Sequence, residues 1–147
     1  MATHPSHREP RSVQRSFRLS AATAAALDEA ARGSDESRNS LVERHLREAL
    51  RRDRHPMITF RTPGGGGRVA ALMGTRLDVH RVIQTVEAED GDIAAAAEYF
   101  RVDASWVRAA VDYYAEFGDE IDEYLAEEAR FAERERALWE RARAITA

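Results

Sequence analysis

The sequence lacks cysteine and lysine, and it has no long apolar run. Without cysteine it can form neither a disulfide nor a thiolate metal site, which fits a reducing compartment. A membrane-spanning helix needs about 18 or more apolar residues, and the first residues lack the apolar centre of a signal peptide. All 22 cationic side chains are arginine, a bias to which we attach no functional weight. Because cysteine, a long apolar run and a signal peptide are absent from the sequence, we expect a cytoplasmic protein with no membrane partner.

The sequence also lacks a catalytic constellation. Its five histidines do not have the spacing of metal ligands, and its acidic residues recur at the intervals of solvated helix faces. The four glycines at 64–67 are not followed by Gly-Lys-Ser/Thr, so they do not form a phosphate-binding loop. We expect no enzymatic activity, no cofactor and no metal.

The charge is distributed unevenly along the chain. Residues 1–55 carry 11 Arg and 8 acidic side chains, whereas residues 56–147 carry 11 Arg and 18 acidic side chains. A basic amino half with an acidic carboxyl half is typical of a DNA-binding module joined to a protein-binding module.

Residues 13 to 52 show one strand followed by two helices. Period-two alternation at 13–19 predicts the strand. Ser20 is expected to cap a helix that extends to about Arg32, and Ser37 to cap a second helix from Arg38 to about Asp53. A lone strand leaves both edges unpaired, and so short a unit cannot bury a core. The pattern therefore predicts a homodimer whose strands pair antiparallel about a two-fold axis.

This pattern, and above all SFRLS and SRNSLVERHLREAL, resembles the ribbon-helix-helix family of bacterial DNA-binding proteins, the class of Arc and the methionine repressor. The resemblance implies that the paired ribbon enters the major groove and that the second helix holds a phosphate at its N-terminus. Arg15 departs from the family, which prefers an apolar residue there, and we expect it to reach a phosphate. The implied DNA-binding residues are Gln14, Arg15, Ser16, Arg18, Ser37, Arg38 and Asn39.

The next block predicts a β-hairpin with strands at 57–61 and 68–72, followed by three helices in a winged-helix-like order. The expected helices are Val79 to about Glu89, Ile93 to Phe100, and Ala104 to Phe117. Gly118 is expected to end the third helix as a left-handed cap. MGTRLDV and AAVDYYAEFGDEID make the block similar to a small bacterial domain of unknown function found in antitoxins paired with PIN-like ribonuclease toxins. Because the surface of this domain is acidic, we expect it to bind another protein or to support the dimer rather than to bind DNA.

The last block, from Asp119 to about Ile145, predicts one long amphipathic helix. Its apolar stripe is too narrow to stabilise an isolated helix in water. The stripe is expected either to form a coiled coil with the other subunit or to enter a groove on a second protein. The predicted partner-binding residues are Ile121, Tyr124, Leu125, Arg130, Phe131, Arg134, Leu138 and Trp139.

These blocks predict a mainly α (α+β) protein: a disordered arm at 1–11, a ribbon-helix-helix domain at 12–54, a hairpin and helix-turn-helix-like domain at 56–118, and a partner-binding helix at 119–147. The resemblances imply a VapB-type antitoxin that represses its own operon at operator DNA. They also imply that it neutralises a PIN-like ribonuclease toxin, with a tail arginine in the toxin's carboxylate site. One alternative is a stand-alone repressor, and another is an adaptor whose ribbon never touches DNA.

Overall fold

The computed structural model describes residues 12–64 and 67–146, so the predicted arm at 1–11 lies outside the described residues. The described part is mainly helical, with one two-stranded antiparallel sheet and a long C-terminal helix, as the sequence predicts. The chain divides into two compact units, Met1–Glu43 and Arg44–Ala147. The elements are α1 (Ala21–Arg32), α2 (Arg38–Arg54), β1 (Ile58–Arg61), β2 (Val69–Leu72), α3 (Val79–Ala88), α4 (Ile93–Phe100) and α5 (Ala104–Thr146).

Hydroxyl caps begin both helices of the first unit. The Ser20 Oγ accepts a hydrogen bond from the Thr23 backbone N–H at 3.1 Å, and the Ser37 Oγ accepts one from the Ser40 N–H at 3.2 Å. Each cap satisfies a backbone donor that a helix start leaves without a partner inside the helix. Both predicted caps are confirmed.

The hairpin supplies one wall of the second unit's core. β1 pairs antiparallel with β2, and Ile58 lies opposite Leu72 in the ladder. Both side chains are fully buried. They pack in a cluster with residues from α3, α4 and α5: Val79, Val82, Ile83, Ala96, Ala97, Val107, Ala110, Tyr113 and Ile121.

Tight local caps bring α4 and α5 onto that cluster. The Asp92 carboxylate accepts from two backbone N–H groups at the start of α4, at 2.9 and 3.1 Å. Arg101 ends α4 in the left-handed conformation, with φ at 57°. The Asp103 carboxylate then accepts from the Ser105 N–H at 2.9 Å at the start of α5. Three residues, 101–103, thus connect α4 to α5, and both helices contribute side chains to the core.

The predicted third helix and the predicted C-terminal helix meet inside α5. Phe117 has non-helical angles, φ −125° and ψ 28°, so two helical segments join at a kink there, at the residue where the sequence predicts the third helix to end. Gly118 does not adopt a positive φ, and the prediction that it forms a left-handed cap is wrong. The Tyr114 ring covers Gly118 so closely that an added Cβ would lie 3.3 Å from it. The Tyr114 hydroxyl also donates to Asp122 at 2.8 Å, which ties the two sides of the kink together.

Candidate functional site

The predicted ribbon segment is exposed. Residues 12–20 form neither helix nor strand, and all of their side chains are exposed, including Gln14, Arg15, Ser16 and Arg18. The apolar members of the alternation are exposed too: Val13 by 65%, Phe17 by 74% and Leu19 by 54%. A strand needs a neighbour for its backbone hydrogen bonds, and a single chain offers none here. Strand pairing in a dimer therefore stays a prediction.

The start of α2, the predicted phosphate site, is also open to solvent. Ser37, Arg38 and Asn39 are exposed. The Arg38 guanidinium is occupied by the Asp28 carboxylate at 2.7 Å, so its charge is partly neutralised inside the first unit. The start of a helix presents backbone N–H groups to an anion, although one of them here, that of Ser40, already donates to the Ser37 Oγ.

The apolar stripe of α2 is only partly covered. In the first unit Leu41 is buried, with 2% of its surface exposed, and Val42 is half-buried. In the second unit Leu46 is 50% and Leu50 63% exposed, and His45 is exposed beside them. Large apolar side chains left in water along one helix face are what a further chain would cover.

The C-terminal part of α2 is bound to the kink of α5, which the sequence does not predict. Arg51 donates to the Tyr113 hydroxyl at 3.0 Å and to the Glu120 carboxylate at 2.8 Å, and its guanidinium carbon lies 4.1 Å from the centre of the Phe117 ring. His55 bonds to Glu116 at 2.9 Å. Tyr113 is buried, whereas Tyr114 is half-buried. Burial raises the pKa of the Tyr113 phenol, so it stays protonated at neutral pH.

A second ion pair joins α2 to the hairpin. The buried carboxylate of Glu48 accepts two hydrogen bonds from the Arg68 guanidinium. Burial alone would raise the pKa of Glu48, but the hydrogen bonds and charge of Arg68 outweigh it and the pKa is lowered. A buried charge is tolerated only when it is paired in this way, so this pair is structural.

The predicted partner-binding residues fall into two groups. Ile121 is buried, with 7% of its surface exposed, and belongs to the core, so its assignment to a partner surface is corrected. Tyr124 and Leu125 are half-buried. The remaining five residues are exposed, and they all follow Glu128: Arg130, Phe131, Arg134, Leu138 and Trp139.

Contacts with α3 hold the first group in place. The His80 ring is buried and lies 4.8 Å, centre to centre, from the Tyr124 ring. Arg81 donates to Glu128 at 2.8 Å. Beside them Asp78 accepts two hydrogen bonds from Arg61, each of 2.6 Å. Residues 119–128 thus belong to the folded unit, and the exposed part of α5 begins at residue 129.

Within the described ranges, no three His, Asp or Glu side chains are grouped so that they could hold a metal ion. Over the same residues, no helix combines the length and apolar character needed to cross a membrane.

No family model, curated protein or solved structure matches the chain.

Proposed function

We propose that the protein is the antitoxin of a type II toxin–antitoxin pair, a dimeric repressor of its own operon that neutralises a PIN-like ribonuclease toxin. One observation carries the DNA-binding half of the proposal. An exposed segment, whose period-two alternation would place Val13, Phe17 and Leu19 on one face of a strand, directly precedes two capped helices. Pairing two such segments across a two-fold axis would cover those apolar side chains and form a ribbon.

In that ribbon the face opposite the apolar residues carries Gln14, Ser16 and Arg18. Arginine can form a bidentate pair of hydrogen bonds with guanine, and glutamine can form one with adenine, so these side chains suit base edges in the major groove. Arg15 and the backbone N–H groups at the start of α2 supply phosphate contacts. Since Arg38 is engaged by Asp28, it contributes through its backbone more than through its charge.

The toxin-binding half is supported by the exposed end of α5. Phe131, Leu138 and Trp139 are each more than half exposed, and the folded unit leaves them uncovered. Large apolar and aromatic side chains on one helix face suit a groove on another protein. Arg130 and Arg134 lie beside them, and they are the candidates for a carboxylate-rich toxin site.

Operator binding tests the ribbon. We expect Arg18→Ala to weaken binding to the operator upstream of the gene about 30-fold or more, the equivalent of one bidentate base contact of about 1–3 kcal/mol lost from each of the two subunits. Arg32→Ala is the matched control, because Arg32 is an exposed arginine of the same unit that pairs with Glu29. Binding should also fall steeply with salt. Equal losses for the two variants, or a flat salt response, would contradict the proposal.

Growth rescue tests neutralisation. The adjacent reading frame is expressed in a bacterial host alone, with the full chain, and with the chain truncated after Glu128. This truncation keeps Ile121 in the core, whereas a truncation after Gly118 would remove it. We expect growth arrest that only the full chain relieves. A harmless neighbour would instead favour the stand-alone repressor, and equal rescue by the truncated chain would remove the toxin-binding role of residues 129–147.

A further inference from the structure

The end of α5 from residue 129 to residue 145, where every side chain but that of Ala137 is exposed, is here called the arm. Three of its apolar side chains recur every seven residues: Phe131, Leu138 and Ile145. They are 58%, 56% and 85% exposed, so no part of the described chain covers them. A seven-residue repeat keeps an apolar stripe on one side of a helix that supercoils with a second helix. The stripe therefore has the period of a coiled-coil seam.

The two edges of this stripe carry opposite charges. With 3.6 residues per turn, successive side chains are separated by about 100° around the axis. Arg134 and Arg141 then lie on one side of Leu138, and Glu135 lies on the other. Arg130 falls on the same side as Arg134, and the two line a common surface depression with Glu133 and Ala137. The arm thus has an arginine edge, and an opposite edge with one glutamate, Glu135, which is here called the glutamate edge.

These edges distinguish the two ways of pairing two identical helices. In a parallel pair the two-fold axis runs along the helices, so the arginine edge of one copy meets the glutamate edge of the other. Arg134 then lies level with Glu135 of the second copy. In an antiparallel pair centred on Leu138, like edges meet, and Arg134 approaches Arg141 of the second copy. Opposite charges beside an apolar seam stabilise the parallel arrangement, and like charges oppose the other.

We propose that the arms of two copies pair as a parallel coiled coil through Phe131, Leu138 and Ile145. A seam of three apolar residues is marginal by itself, so the pairing rests on the proposed N-terminal dimer, which supplies a high effective concentration of the second arm. A toxin that uses the same side chains must then open the pair before it binds. This competition makes toxin affinity depend on the strength of the arm pair.

Disulfide trapping in the full chain tests the pairing, because the protein has no cysteine of its own. Ala142 lies near the stripe and Ala129 on the opposite side of the helix, and both are exposed. We expect the Ala142→Cys variant to form a covalent dimer under mild oxidation. The Ala129→Cys variant, the matched control, should form about tenfold less, because its sulfurs point away from the seam. Equal trapping of the two variants would overturn the proposal.

Charge reversal tests the orientation in the Ala142→Cys background. Arg134→Glu should reduce trapping about two- to fivefold, as expected for one exposed ion pair on each side of a symmetric seam. Adding Glu135→Arg should restore it, and failure to restore it would refute the parallel register. Sedimentation of the reduced protein separates the remaining outcomes. A dimeric chain without trapping at 142 overturns the arm pairing alone, and a monomeric chain overturns both the pairing and the N-terminal dimer.

Discussion

Ile121→Ala tests whether residues 119–128 belong to the fold or to a separate helix. The substitution removes three carbon groups from a side chain that is 93% covered. At about 0.8 kcal/mol for each buried group, the transfer loss is about 2.4 kcal/mol, and the cavity left behind adds to it. We expect the free energy of unfolding to fall by about 2–4 kcal/mol.

Ile145→Ala is the matched control on the same helix. Ile145 is 85% exposed in the single chain, and the pairing proposed for the arm is marginal by itself, so its loss should change the free energy of unfolding of the core by less than about 0.5 kcal/mol. The gain in helix propensity from isoleucine to alanine is a few tenths of a kcal/mol at Ile121 and smaller at Ile145, next to the end of α5, so it does not account for the expected difference.

The assay is urea unfolding followed by tryptophan fluorescence. The chain has two tryptophans, and a Trp139→Phe background leaves only Trp106, which packs against the core. The fluorescence then reports the core of the second unit and not the arm. An Ile121→Ala loss below about 1 kcal/mol, or equal losses for the two variants, would refute the placement of Ile121 in the core and return residues 119–128 to the partner surface.

Three further outcomes are expected. Arg51→Met removes two hydrogen bonds and a cation–ring contact and should cost about 1–3 kcal/mol in urea unfolding; its exposed neighbour gives the control Arg52→Met, and an equal cost for both would contradict this contact set. Burial lowers the pKa of His80 from 6.5, so the folded state favours the neutral ring. The stability that the neutral His80 ring contributes is complete above the ordinary histidine pKa and is lost as the pH falls below it. A His80→Gln variant should lack this part of the pH dependence of unfolding. Ser20→Ala removes a cap and should destabilise α1 by about 1 kcal/mol, seen as faster amide exchange in its first turn; unchanged exchange would contradict the role of the cap.

Local chemistry made much of the helical order predictable. Ser20, Ser37 and Asp103 act within three residues of themselves, so the sequence contains the whole of each capping interaction. The hairpin strands and the boundaries of α4 follow from short-range pattern in the same way. The dimer ribbon is different, because its formation requires a second chain, and it stays a prediction.

Long-range packing decided what the sequence could not. Gly118 follows the kink directly without a left-handed cap, because Tyr114 covers it and Ile121, three residues later, packs in the core. Tyr113 and Tyr114 are consecutive, and the choice of the buried ring depends on where Arg51 lies, 62 residues earlier than Tyr113 in the chain. A local sequence pattern cannot predict a contact between residues so far apart in the chain. Contacts of the same long-range kind divide the predicted partner surface at residue 128.

The two parts of α5 differ in how freely their sequences can change. Before residue 129 the helix is held by Ile121 in the core and by Tyr124 and Glu128 against α3, so substitutions there are constrained by stability. From Ala129 to Ile145 every side chain but the half-buried Ala137 is exposed. Substitutions in this second part cost little folding free energy. A lineage of such proteins could therefore acquire new binding partners by changing fewer than twenty residues, while the folded unit that carries them stays the same.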